Sequence, residues 1–235
     1  MTNFVLLHGA WHGGWCWKYV AAILRARGHR VTTPTQTGLG ERAHLMSPEI
    51  DLATFGRDLV NHLRFEDLDD AVLVGHSFGG SPISYAAEQA RDRVRSLVYF
   101  DAIVVEGGET PISQVPGDVR ALRRQLAQDS SGGLSLPAPP AVALGVMDAE
   151  LGVWVERLMT PHPMNTFETA LTIDGPPGAG LSASYLVCTD PVYPPLEASR
   201  QRARGYGWPV REIATGHDAM VTAPETLADL LEACA

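Results

Sequence analysis

At 235 residues, with 45% apolar and 19% charged side chains, the chain has the proportions of one globular domain able to bury a large core without disulfides or metal. A net charge of −9 excludes the electrostatic footprint of a nucleic-acid binder or of a protein drawn to anionic membranes. Cys16, Cys188 and Cys234 show neither metal-ligand spacing nor a secreted framework, and no apolar run approaches a membrane span.

The first apolar run, Phe4–Leu7, reads as a strand that runs into "HGAWHGGWCW" and then a helix over about 15–27. With no basic leader ahead of it, the expected location is the cytoplasm. Strand His29–Thr33, a helix over 52–64, strand Ala71–Gly75, a helix over 79–90 and strand Val94–Phe100 follow. Residues 104–181 break the alternation. They hold "EGGETPISQVPGD", the loop "DSSGGLSLPAPP" and a helical segment around Leu151–Leu158, too much for an ordinary connection. The apolar content of this insertion predicts a folded lid. Strand Ser184–Cys188, a helix over 196–204 and strand Val210–Ile213 complete the set. The last helix is expected to start on a capping box, Thr222 with Glu225, ahead of the stripe Leu227, Leu230 and Leu231. The class is α/β: one domain over 1–235, with a mostly parallel sheet of about six strands flanked by helices and a lid over 104–181.

Gly75-His76-Ser77-Phe78-Gly79 fits G-x-S-x-G, a tight strand-to-helix turn that lifts a serine hydroxyl above a sheet. Here a buried strand precedes it and a helix follows. Such a serine needs a base and an acid, in chain order Ser…Asp/Glu…His. Of eight histidines, His8, His12 and His76 flank the glycine turns, too close to the sheet to swing over Ser77. His29, His44 and His62 belong to early elements, and His162 to the insertion. His217, in "ATGHDAM" after the last strand, is placed to act as the base. Asp190, just past the fifth core strand, is the expected acid, and Asp101, at the end of "SLVYFDA", is the alternative.

The first loop is not a nucleotide cradle. "GAWHGGW" lacks the spacing of G-x-G-x-x-G, and Lys18, the only lysine in the chain, lies too late for a phosphate-binding loop. In a serine hydrolase of this fold, the equivalent loop supplies half of an oxyanion hole, which assigns the N–H groups of Ala10 and Phe78.

"VLLHGAWHGGWCW", "GHRVTTPTQTGLGER", "VLVGHSFGG", "VCTDPVYPP" and "GHDAM" resemble the methylesterase and hydroxynitrile lyase branch of the α/β-hydrolase superfamily. That branch includes plant salicylate-binding methylesterases and bacterial pyrethroid-hydrolase-like esterases. The resemblance covers nearly all the chain outside 104–145. It implies the α/β-hydrolase fold, Ser77 as nucleophile, His217 as base, Asp190 as acid, and Ala10 and Phe78 as oxyanion donors. "CTDPVYP" is one residue shorter than the family's stretch before its aspartate, which keeps Asp101 open. The lyases carry a threonine in the first loop and a lysine after the catalytic histidine, where this chain has Gly9 and Asp218.

The expected reaction is therefore hydrolysis of a small apolar or aromatic carboxylic ester through an acyl-enzyme, with no cofactor and no metal. Trp11, Trp154, Leu158 and Met220 are the expected substrate-lining residues. The expected partner is a small-molecule ester; no nucleic acid or membrane is expected, and a homodimer is compatible with the sequence. A receptor-like binding protein with vestigial hydrolysis, or a lyase or cofactor-independent oxygenase, would carry the same residues.

Overall fold

Six parallel strands form the centre of the computed structural model, which describes residues 1–235. In chain order the elements begin β1 (Asn3–Leu7), α1 (Lys18–Ala26), β2 (Arg30–Thr32), α2 (Leu52–Phe65), β3 (Ala71–His76), α3 (Gly80–Gln89) and β4 (Val94–Phe100). The insertion contributes α4 (Gly117–Ser131), β5 (Ser135–Leu136), α5 (Ala149–Leu158), β6 (His162–Pro163) and α6 (Asn165–Glu168). Then come β7 (Ser182–Cys188), α7 (Glu197–Gly205), β8 (Val210–Ile213), α8 (Ala219–Thr222) and α9 (Pro224–Glu232). The sheet order is β2-β1-β3-β4-β7-β8, and β5 and β6 pair separately as an antiparallel ribbon.

The strand composition explains the layering. All six residues of β3 are buried, as a strand covered on both faces requires. Phe4, Leu6, Val72 and Val74 point into a core with Val20 and Leu24 of α1 and Leu227 and Leu231 of α9. Val5, Leu7 and Leu73 point the other way, onto Leu59 and Leu63 of α2 and Ile83 of α3. A third cluster sits above the carboxyl ends of the strands and includes Trp11, Phe55, Phe78, Ile103 and Phe167.

The insertion does not behave as one piece. Ile112, Val115, Leu136, Leu144, Met164 and Phe167 join the cluster above the sheet. Ala141, Val146 and Val155 instead extend the core on the α1 and α9 side. The capping box expected at Thr222 is absent, because α9 starts one residue later with Pro224 in its first turn. The Thr222 hydroxyl lies 2.8 Å from that of Thr215.

Chain order reverses between β1 and β3: the path leads outward to β2 on one side and to β4, β7 and β8 on the other. In an open α/β sheet this reversal opens a crevice at the carboxyl ends of the strands. Leu7 is level with Gly75, and His76 with Phe100. The segments leaving β1, β3 and β4 therefore emerge side by side.

Candidate active site

Ser77 follows the last residue of β3 and holds φ at +53°, left-handed backbone that a non-glycine residue adopts only under constraint. Neighbouring chain approaches so closely that side chains are excluded. A Cβ on Gly9 would lie 2.7 Å from Ser77 Cβ, and one on Gly79 would lie 2.9 Å from the His8 carbonyl oxygen. Phe78 lies in the single 3-10 turn Ser77–Gly79 that leads into α3, where the first N–H groups have no partner within the helix. Ala10 and Phe78 both face the chamber beside Ser77.

His217, in the loop after β8, accepts the Ser77 hydroxyl at Nε2 over 2.9 Å. Its Nδ1–H donates over 2.6 Å to the carboxylate of Asp101, which is fully buried. The expected acid, Asp190, is corrected here: it is exposed, and only its backbone N–H is engaged, with the Thr215 carbonyl at 3.2 Å. Register is the reason. Asp101 directly follows Phe100, which is level with His76, so its carboxylate emerges beside Ser77. Asp190 leaves β7, one strand farther out, and β7 runs two residues beyond Leu186, the partner of Phe100. Asp101 is itself tied down, with φ at +37° and its N–H donated to the Leu186 carbonyl at 2.7 Å.

A family model described as the alpha/beta hydrolase family matches residues 4–230. The chain belongs to that family. It is 38% identical to a carbendazim hydrolyzing esterase of Nocardioides sp., across 99% of each chain. It is 26% identical to methylesterase 7 of Arabidopsis thaliana, over 97% of this chain and 94% of the relative. Among solved structures, it superposes with a TM-score of 0.88 on an extracellular alpha/beta-hydrolase from a Paenibacillus species, described as sharing structural and functional homology with tobacco salicylic acid binding protein 2. That pair is 25% identical, over 100% of this chain and 99% of the other.

Around Ser77 and His217, this alpha/beta hydrolase has a ring of buried polar groups that sequence reasoning did not assign. His8 donates from Nδ1 to the Gly9 carbonyl at 2.8 Å and accepts the Gln36 N–H at Nε2. Burial holds it neutral, down to about 3. His76 donates to the carbonyl of His217 at 3.0 Å, and burial beside His217 keeps it well below the ordinary histidine range. His12 donates to the Ala10 carbonyl at 2.7 Å and to Asp218 at 3.0 Å. Burial alone would lower its pKa, but the charge and hydrogen bond of Asp218 outweigh burial and raise it. The His12–Asp218 ion pair thus joins the loop of Ala10 to the loop of His217. The Tyr193 ring stacks on His217 with centroids 4.2 Å apart. Arg200, from α7, lies 4.0 Å behind Asp101 and donates to the Tyr193 carbonyl at 2.5 Å. No short motif signals these partners, since each arises from side chains far apart in the chain.

The chamber at Ser77 is lined by Trp11, Phe78, Ile103, Val115, Phe167 and Leu196 among others, and has about 10 Å³ of free volume, barely room for one water. A second, apolar groove of about 410 Å³ lies beyond it, walled by α4 and by Pro137–Pro140. Trp11 lines both spaces. Trp154, Leu158 and Met220, expected to line the pocket, border neither. Met220 is fully buried in the α1-side core. Trp154 packs edge-on against Trp15, centroids 5.2 Å apart, because α5 docks on that same side. Leu158 is half-buried at the end of α5.

Proposed function

We propose that this chain is a serine esterase in which Ser77 is the nucleophile, His217 the general base and Asp101 the acid that orients it. The observation that carries the reading is the continuous hydrogen-bonded path from Ser77 Oγ through His217 to Asp101. Ester hydrolysis is also the activity named for the carbendazim esterase and methylesterase relatives.

Ser77 Oγ attacks the ester carbonyl as its proton passes to His217 Nε2. The N–H groups of Ala10 and Phe78 stabilise the oxyanion, and the Asp101 carboxylate orients and stabilises the imidazolium. Collapse expels the alcohol, which takes the proton from Nε2. Water, deprotonated by His217, then attacks the acyl-enzyme, releasing the carboxylic acid and regenerating the serine.

The narrow chamber favours a small group such as methoxy beside Ser77, with the bulk of the substrate in the outer groove. Residues 103–136 and 164–173 act as the lid over that space. A lyase is disfavoured because the position after His217 holds Asp218, whose carboxylate is engaged by His12. A panel of methyl, aryl and p-nitrophenyl esters, with mass spectrometry after treatment with a serine-directed phosphonate, tests the reading. Ester turnover and a phosphonate adduct on Ser77 are expected. No turnover and no adduct would overturn it.

A further inference from the structure

Resting on the esterase reading, we infer that Arg123 is a specificity-determining residue. It selects esters that carry a carboxylate remote from the scissile bond. Arg123 lies on α4 in the wall shared by the Ser77 chamber and the outer groove, and it is the only charged side chain lining either. Its guanidinium sits over the Phe167 ring, 5.3 Å from the centroid, and beside the Tyr193 hydroxyl. Its helix neighbour Arg124 is paired with Glu168, whereas Arg123 has no carboxylate within ion-pair reach, in a chain with 27 acidic residues.

A half-buried cation without a counter-charge is costly in an apolar wall unless something it binds supplies one. An aromatic face and a phenol offer only weak compensation. A ligand carboxylate would meet the planar fork of an arginine bidentately, which adds both strength and direction. Leu122 and Leu126, on the same helix and largely exposed, present apolar surface to the groove on either side of Arg123. The substrate that fits has a small ester group at Ser77, an apolar spacer along the groove and an anionic end at Arg123.

The test uses the full-length protein and a series of monomethyl esters of linear dicarboxylic acids. Each is compared with the same ester bearing a neutral primary amide in place of the free carboxylate. At the best spacer length, the carboxylate ester should exceed its amide partner at least tenfold in kcat/KM, and the advantage should shrink with added salt. Arg123→Gln should reduce turnover of the carboxylate ester about tenfold while leaving the amide ester within threefold, and Arg123→Lys should restore part of the preference. Equal turnover of each pair in the parent, or a preference that survives in Arg123→Gln, would overturn the inference. Calorimetric titration of the same half-esters into Ser77→Ala gives a readout without catalysis. Arg123-dependent binding there, with no ester turned over by the parent, would keep the carboxylate site and reject the esterase reading.

Discussion

At the carboxyl edge of the sheet, the polar side chains are engaged by one another: Asp101 holds His217, His217 meets Ser77, His76 holds the His217 carbonyl, and His12 spans Ala10 and Asp218. The insertion above that edge is built the other way. It meets the site with apolar side chains, and its one cation there, Arg123, lacks a counter-charge. The edge is set by strand register, which leaves its groups little freedom to be anywhere else. The insertion is held by side-chain packing and by scattered bonds, such as the Thr160 N–H to the Trp11 carbonyl at 2.9 Å. Substitutions at the edge should therefore slow every substrate alike, and substitutions in the cavity wall should change the ranking of substrates.

The largest effect is expected at Ser77, the proposed nucleophile. Ser77→Ala should lower turnover of all esters by about three to six orders of magnitude while the melting temperature stays close to that of the parent. Loss on some esters and retention on others would erase the distinction between edge and insertion.

Asp101→Asn comes next. The amide should leave the imidazole in the wrong tautomer and lower kcat by roughly 10³–10⁴ on every ester. Asp190→Asn, at an exposed carboxylate, should stay within about twofold of the parent. A reversed ranking on one p-nitrophenyl ester would return the acid role to Asp190.

That pair shows where the sequence stops being legible. The four inner strands β1, β3, β4 and β7 are readable because each is a short, largely apolar run, and β3 in particular has no solvent-facing position to blur the pattern. Ser77 and His217 were readable because a glycine turn and a late loop carry their own signals. Asp101 and Asp190 both follow core strands, and only the pairing Phe100 with His76 puts one carboxylate beside Ser77. Register between strands is a property of the folded sheet, so a single chain read linearly leaves both open. The insertion was opaque for a related reason. Its apolar residues were visible, but nothing local says that Val155 belongs to the α1-side core while Phe167 belongs to the site. On that blurred signal alone Trp154 reads as a pocket residue.

Removing one member of the buried pair at the edge should be felt in stability. Asp218→Asn leaves His12 enclosed without its counter-charge and loosens the tie between the Ala10 and His217 loops. We expect a loss of about 3 kcal/mol in urea unfolding, and a fall in kcat shared by all esters. Unchanged stability would show that the pair does not join the loops. Trp154→Ala should cost about 2 kcal/mol by removing a half-buried indole from Trp15 and Tyr19, with the order of ester preference unaltered. A changed order with unaltered stability would put Trp154 back in the substrate path.

The smallest effect sits where the two regions touch. His162, from the insertion, is buried among Phe55, Phe78 and Phe167 and lies 2.8 Å from Thr166 Oγ1. Burial, with His8 and Arg123 nearby, holds its pKa well below the ordinary value. His8 and His76 are lowered as well, chiefly by burial. A histidine with a lowered folded pKa takes up its proton more readily when unfolded, so stability must fall as pH drops below about 6.5. Each such group contributes up to about 1.4 kcal/mol per pH unit. His12 has the opposite sign: its folded pKa is raised, so its contribution is complete below about 6.5 and is lost as pH rises through the folded value. Urea unfolding between pH 6.5 and pH 5 isolates the lowered histidines from most carboxylate titration. His162→Phe keeps an aromatic ring among aromatic neighbours, and the Thr166 hydroxyl still donates to the Pro163 carbonyl. In this variant the acid slope should flatten by up to about 1.4 kcal/mol per pH unit, the share of one histidine. Parallel slopes in parent and variant would mean that His162 takes up a proton equally well in both states, and that the junction between insertion and edge is open to water.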